Sequence, residues 1–182
     1  MRPAPGPDRI TQRLFFALWP DMRLQAALQQ VGQSMQRAFH GRVVAARNIH
    51  LTLAFLGSVP VARVDELLAI GAAIAVDRFP LKLTETGCWK RSAVAWVAPE
   101  KLPEALENLV LGLRQRLLRS GFGVDEKPFS PHVTLLRKAK CRREASPDEV
   151  SLEWQVDSFA LIRSDTLQTG PEYARLGTWP LM

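Results

Sequence analysis

The chain has 182 residues, 47% of them hydrophobic and 23% charged, which is typical of a folded domain and argues against intrinsic disorder. No apolar run approaches the ~20 residues of a membrane span, and the polar first nine residues lack the apolar segment of a secretory signal. The net charge is +6, with 18 arginines and 6 lysines. Because guanidinium groups suit phosphate recognition, the charge favours either a phosphate-bearing ligand or simply a basic protein without one.

Hydrophobic periodicity predicts an alternation of strands and helices. In chain order, the pattern predicts a strand over 13–19, a helix over 21–39 capped by Asp21, a strand over 48–57, a helix over 60–76, strands over 81–86 and 93–98, a helix over 103–119, a strand over 130–136, a polar basic loop over 138–148, and strands over 154–163 and 173–179. No low-complexity linker interrupts this order. We therefore predict one α+β domain over residues 10–182, with residues 1–9 as a disordered extension.

The two halves of the chain share one signature. His50 begins the tetrapeptide His-Leu-Thr-Leu, and His132 begins His-Val-Thr-Leu, each inside a predicted strand. The chain has only three histidines, so two of them in the same context is a far stronger signal than one motif alone. The repetition predicts two similar lobes that face one another.

Strand geometry gives the spacing a chemical meaning. Residues i and i+2 of a strand point to one face, so His50 projects with Thr52, and His132 projects with Thr134. The intervening residues are expected to face apolar packing: Leu51, Leu53, Phe55, Val133 and Leu135. Two imidazoles could then flank a phosphate, one accepting a proton and one donating a proton, while the hydroxyl groups donate to phosphate oxygens.

Other kinds of site have weaker support. The third histidine, His40, lacks a threonine partner and is assigned to the C-terminal end of the first helix. The sequence has no zinc motif and no glycine-rich ATP loop, so we expect neither a metal nor another cofactor. Cys88 and Cys141 lie far apart in the sequence and suggest neither a metal site nor a disulfide framework. We expect reduced thiols and a cytoplasmic protein.

Basic residues follow the second motif directly: Arg137, Lys138, Lys140, Arg142 and Arg143. They indicate either a phosphate or RNA contact at the mouth of the site or a solvated loop. Arg137 is the best candidate, although strict alternation would place it on the face opposite His132 unless the strand twists or ends there. Trp19 and Phe55 could stack on a base, but for both residues a position in the hydrophobic core is favoured.

With these motifs the chain resembles the 2H phosphoesterase superfamily, and within it the bacterial and archaeal RNA 2′,3′-cyclic phosphodiesterases, also called 2′-5′ RNA ligases. The resemblance extends over nearly the whole chain and includes the segments 13–18, 50–57, 130–137 and 170–173 and the Trp-Pro-Leu ending. It implies a bilobal fold with two antiparallel sheets around a central cleft and metal-free opening of a 2′,3′-cyclic phosphate to a 2′-phosphate. It further implies His50 as proton donor, His132 as proton acceptor, and Thr52, Thr134 and Arg137 as phosphate-binding residues.

The expected substrates are RNA with 2′,3′-cyclic phosphate ends or cyclic nucleotides, and we expect a monomer that does not bind membranes. The reverse reaction would join a cyclic end to a 5′-hydroxyl without ATP. Two alternatives stay open: a non-catalytic module that binds RNA ends, and another phosphodiesterase activity of the same superfamily. The near symmetry of the motifs leaves the assignment of acid and base undecided by spacing alone.

Overall fold

The computed structural model describes residues 10–125, 127–141, 149–167 and 170–182, so the predicted extension over 1–9 lies outside the described residues. Within these residues, three α-helices and nine strands form an α+β fold. The strands are β1 (Thr11–Leu18), β2 (Arg42–Val43), β3 (Leu51–Pro60), β4 (Phe79–Trp89), β5 (Val94–Pro99), β6 (Val133–Arg137), β7 (Leu152–Val156), β8 (Ser158–Leu167) and β9 (Gly170–Pro180), and the helices are α1 (Met22–Phe39), α2 (Val64–Ala72) and α3 (Glu104–Arg119).

The strands form one curled antiparallel sheet in the order β7-β4-β5-β6-β3-β1-β8-β9, with β2 paired to β6. The sheet consists of two four-strand halves that meet between β6 and β3, where the pair Leu51↔Val133 joins them. The predicted α+β fold with two facing lobes is confirmed, and the two predicted sheets prove to be joined along this edge. The strand predicted over 154–163 is in fact two strands, because the chain turns at Asp157, and the short β2 was not predicted.

The helices and the buried side of the sheet enclose the main core. In α3 the leucines at helical spacing are fully buried, as the pattern predicts: Leu106, Leu109, Leu113 and Leu117. Asp21 caps α1 as predicted, because its carboxylate accepts a hydrogen bond from the Leu24 amide at 2.7 Å. Among the described residues, no helix combines the length and apolar character needed to cross a membrane.

A second, smaller apolar cluster lies on the other face of β1 and β8. It contains Phe15, Ala17, Ala160 and Ile162, with Trp19 and Tyr173 packed against them. Because successive residues of a strand alternate between faces, Phe15 belongs to this cluster while Phe16 belongs to the main core. Of these residues, Tyr173 also lines the cleft that holds the candidate site.

The prediction that Phe55 faces apolar packing is wrong, because its side chain is 47% exposed. The pairing of β1 with β3 shifts register twice, so that Thr52 lies opposite Ala17 and Phe55 lies opposite Phe15. Both partners, Ala17 and Phe15, belong to the second, smaller apolar cluster. The shift between Phe16 and Ala17, which leaves Leu53 as an extra residue, therefore turns Phe55 onto the same face as Thr52, where strict alternation would have buried it.

The prediction of reduced thiols is also wrong for this structure, since Cys88 and Cys141 form a disulfide bond. Their Cα atoms are 5.4 Å apart although 53 positions separate them in the sequence. The pairing of β4 with β5 and of β5 with β6 brings the two segments together. Because this proximity arises from strand order, the spacing of the cysteines did not reveal it. In a chain-entropy model, closing a loop of this length stabilises the fold by about 4 kcal/mol.

Candidate active site

The two histidine motifs meet where the halves of the sheet join. His50 immediately precedes β3 and His132 immediately precedes β6, and these strands pair through the next residue of each motif, Leu51↔Val133. Both bridge residues are fully buried. Because the pairing is antiparallel, each histidine lies beside the threonine of the other motif, and all four polar side chains face away from the core. They line one cleft of about 510 Å³.

Each imidazole is held by a backbone carbonyl two residues before it. His50 Nδ1 lies 2.8 Å from the Asn48 carbonyl oxygen, and His132 Nδ1 lies 2.8 Å from the Ser130 carbonyl oxygen. A carbonyl oxygen only accepts, so Nδ1 carries the proton and donates in both rings. Nε2 is then left to take up or release a proton in the cleft. Any residue at positions 48 and 130 supplies a carbonyl group, so these contacts have no signature in the sequence.

Aromatic rings surround His50. Trp19 stacks on it with ring centroids 5.1 Å apart and planes 5° apart, Phe15 lies at 5.0 Å, and Tyr173 meets it edge-on at 5.2 Å. Trp19 thus packs on the imidazole. Burial lowers the pKa of His50 from 6.5 to about 4, against the Asn48 hydrogen bond that favours the protonated form. The His50 imidazole is therefore neutral at neutral pH in the free protein.

His132 has a related but more open environment. The Trp89 ring meets it edge-on with centroids 4.5 Å apart. Burial again lowers the pKa, opposed by the hydrogen bond to Ser130, and the positive charge of Arg137 lowers it further. The two similar motifs therefore differ in surroundings, which was not visible in their nearly identical tetrapeptides.

A bulge turns Arg137 into the cleft. In the pairing of β5 with β6, Ala95 lies opposite Leu136 but Trp96 lies opposite Thr134, so Leu135 is an extra residue. Leu135 and Leu136 are both buried, and Arg137 returns to the face of Thr134. The bulge interrupts the alternation of side chains between the two faces, which would otherwise have placed Arg137 on the face opposite His132.

The Arg137 guanidinium connects the two halves of the site. It lowers the pKa of both His50 and His132 through its charge. Burial raises the pKa of Tyr173, a residue of β9 in the other half, and the nearby charge of Arg137 opposes that rise. Tyr173 is the only tyrosine of the chain and contacts the ring of His50. Sequence reasoning noted it only as part of a matching segment and assigned it no role.

The cleft is positively charged. The charged side chains in its described lining are Arg42, Arg47, Arg137 and Glu172. Arg42 and Arg47 were not among the predicted site residues. Of the predicted basic cluster, Lys138 and Lys140 are exposed and lie outside this lining, and Arg142 and Arg143 lie outside the described residues.

The geometry predicts how anion binding affects His50. We expect its Cε1–H resonance to titrate with a pKa of about 4 in the free protein and with a higher pKa when sulfate binds, because the anion offsets the charge of Arg137 and favours the imidazolium form. Proton NMR titration measures both values, with the signal assigned by its loss in His50→Gln. A free-protein value near 6.5, or a value that sulfate leaves unchanged, would contradict this account.

Comparisons with known proteins agree with the duplicated architecture. The family model described as LigT like Phosphoesterase matches the chain twice, over residues 18–96 and 97–173. Each match contains one of the two histidine motifs. An RNA 2′,3′-cyclic phosphodiesterase of Escherichia coli (strain K12) is 36% identical over 175 residues, covering 93% of this chain and 97% of that protein. The protein of the same name from Thermus thermophilus is 32% identical, covering 93% and 90%.

A solved structure supports the same relationship. The crystal structure of E. coli LigT complexed with 3′-AMP superposes with a TM-score of 0.86 at 34% identity, covering 95% of this chain and 99% of that chain. The resemblance inferred from the two motifs is confirmed. The chain belongs to the LigT-like phosphoesterase family.

Proposed function

We propose that this protein is an RNA 2′,3′-cyclic phosphodiesterase that opens the cyclic phosphate to a 2′-phosphate. The observation that carries the proposal is the meeting of two imidazoles and two threonine hydroxyl groups in one arginine-lined cleft. Relatives that cover nearly the whole chain carry this name. The cleft volume of about 510 Å³ falls within the usual range for small-ligand sites.

The reaction needs two proton transfers on opposite sides of one phosphorus atom. Water attacks the phosphorus and gives a proton to Nε2 of His132, while the bond from phosphorus to the 3′ oxygen breaks and that oxygen takes a proton from Nε2 of His50. The product is a 2′-phosphate with a free 3′-hydroxyl. Since both Nδ1 atoms donate to backbone carbonyls, each ring keeps Nε2 for this chemistry.

The remaining polar groups stabilise the charge that develops on phosphorus. Thr52 and Thr134 donate hydrogen bonds to the non-bridging oxygens, and the guanidinium group of Arg137 balances their negative charge. The anion also raises the pKa of His50, which must be protonated to act as the acid. A 5′-hydroxyl in place of water would give a 2′-5′ linkage by the same ring opening. In the reverse of that step the 3′-hydroxyl attacks the phosphorus, the 5′ oxygen leaves, and the two histidines exchange roles.

The test is turnover of cytidine 2′,3′-cyclic phosphate followed by phosphorus NMR. We expect cytidine 2′-phosphate as product and a rate that EDTA leaves unchanged, because both proton transfers are assigned to imidazoles. Binding without turnover would instead support the non-catalytic RNA-end module. Formation of the 3′-phosphate would show that the other ester bond breaks, which would contradict the assigned geometry.

A further inference from the structure

We infer that Arg42, with Arg47 beside it, forms a second phosphate subsite that receives the phosphodiester on the 5′ side of the terminal nucleotide. This inference rests on the proposed function and adds to it a contact with the RNA backbone beyond the terminal nucleotide. The subsite belongs to the same cleft as the two histidines but is separate from the phosphate position between them.

The first argument is the charge of the cleft. Its described lining carries three arginines and one carboxylate, while both histidines have lowered pKa values. A 2′,3′-cyclic phosphate carries a single negative charge, which Arg137 alone balances. Arg42 and Arg47 form no ion pair with a carboxylate in the part of the chain that the structure describes. The cleft therefore has positive charge left for a further anion.

The second argument is the position of Arg42. Strand β2 pairs with β6 so that Arg42 lies directly opposite Arg137. Like charges in directly opposite positions destabilise a sheet. The cyclic phosphate balances Arg137, and a second anion beside Arg42 would offset the remaining charge of the pair, so the pairing favours a ligand with more than one phosphate.

The third argument is the backbone that delivers Arg42 to this position. His40, with φ 54° and ψ −155°, and Gly41, with φ 86°, turn the chain from the end of α1 into β2. A Cβ atom at Gly41 would lie 2.8 Å from the Arg137 carbonyl oxygen, so the two segments approach as closely as glycine allows. A non-glycine residue at positive φ is unfavourable, and such strain is often found at ligand sites. Here it places a second arginine in the cleft.

The spacing also fits one nucleotide. Along β6, Thr134 lies beside His50 and Arg137 lies opposite Arg42, three residues further on. Because Leu135 is the extra residue of a bulge, Thr134 and Arg137 lie opposite residues that are two positions apart on β5, which is about 7 Å at the rise of a strand. Arg47 extends the same wall, next to Asn48, whose carbonyl group orients His50 and whose side-chain amide donates to the Pro171 carbonyl.

The experiment compares two dinucleotides that end in a 2′,3′-cyclic phosphate and differ only in the internal linkage, which is a charged phosphodiester in one and a neutral methylphosphonate in the other. We expect the wild-type protein to show a kcat/KM about tenfold higher for the charged linkage, the scale of one charge-assisted hydrogen bond. Arg42→Gln should reduce this ratio to near one, and Arg47→Gln should reduce it partly. Arg119→Gln removes the same charge from the exposed end of α3 and should keep the wild-type ratio.

Equal rates for the two linkages in the wild-type protein, or a ratio that both variants retain, would overturn the subsite. Affinities for the corresponding dinucleotides that end in a 2′-phosphate, measured by calorimetry, should show the same preference without any turnover. Failure to hydrolyse cytidine 2′,3′-cyclic phosphate would contradict the proposed function, while the calorimetric ratio would still decide the subsite.

Discussion

Replacing His50 or His132 with alanine is expected to lower kcat/KM for a 2′,3′-cyclic nucleotide by about 10²–10⁴-fold, the usual contribution of a general acid or base. Each ring has its Nδ1 atom fixed by a backbone carbonyl and its Nε2 atom left for the cleft. Alanine leaves water as the only proton carrier on that side of the phosphorus atom. Steady-state kinetics with cytidine 2′,3′-cyclic phosphate measures the loss.

The third histidine provides a matched control. His40 is exposed at the end of α1 and lies outside the described lining of the cleft, so His40→Asn should keep nearly the wild-type rate. The His50→Ala/His132→Ala double variant should lose little more activity than the less active of the two single variants. Both groups act in one concerted displacement, and such losses are not additive. A folded His50→Ala or His132→Ala protein within tenfold of the wild-type rate would remove the two-histidine mechanism.

The parts of this site that the sequence predicted are those that depend on local pattern. The i, i+2 spacing of His50 and Thr52 places both side chains on one face of a strand, whatever the strand pairs with. The same holds for His132 and Thr134. The capping of α1 by Asp21 is equally local, since donor and acceptor lie three residues apart.

The parts that the sequence did not predict depend on pairing between distant strands. Phe55 is exposed on the face of Thr52, and Arg137 joins the face of Thr134, because register shifts interrupt the alternation. Neither shift has a signature in the local sequence, since the extra residues are ordinary buried leucines such as Leu135. The disulfide between Cys88 and Cys141 likewise follows from strand order.

The sequence pattern also did not predict which residues surround the two histidines. Three aromatic rings contact the ring of His50: Phe15 from β1, Trp19 directly after β1, and Tyr173 from β9. These contacts bury the ring and lower the pKa of His50 to about 4. The two motifs are almost symmetric in sequence, and the fold makes them chemically different through the residues packed around each.

Arg137→Gln is expected to lower kcat/KM by about 10²-fold and to shift the pH profile of kcat/KM toward higher pH. The loss in rate reflects removal of a charge-assisted hydrogen bond to the phosphate. The shift follows from electrostatics: the positive charge of Arg137 disfavours the imidazolium form of both histidines, so its removal raises the pKa of each. Rates measured over a range of pH report these values for the free protein.

Arg137→Lys separates the two effects. Lysine keeps the positive charge but lacks the planar fork, so we expect the wild-type pH profile with a reduced rate. Arg42→Gln gives a second contrast, since the charge of Arg42 is not among the causes that lower either histidine pKa, and the profile should stay in place. If Arg137→Gln left both the rate and the profile unchanged, the guanidinium group would not face the phosphate. A lower rate with an unshifted profile would leave Arg137 as a phosphate ligand but show that burial alone sets the pKa of the two imidazoles.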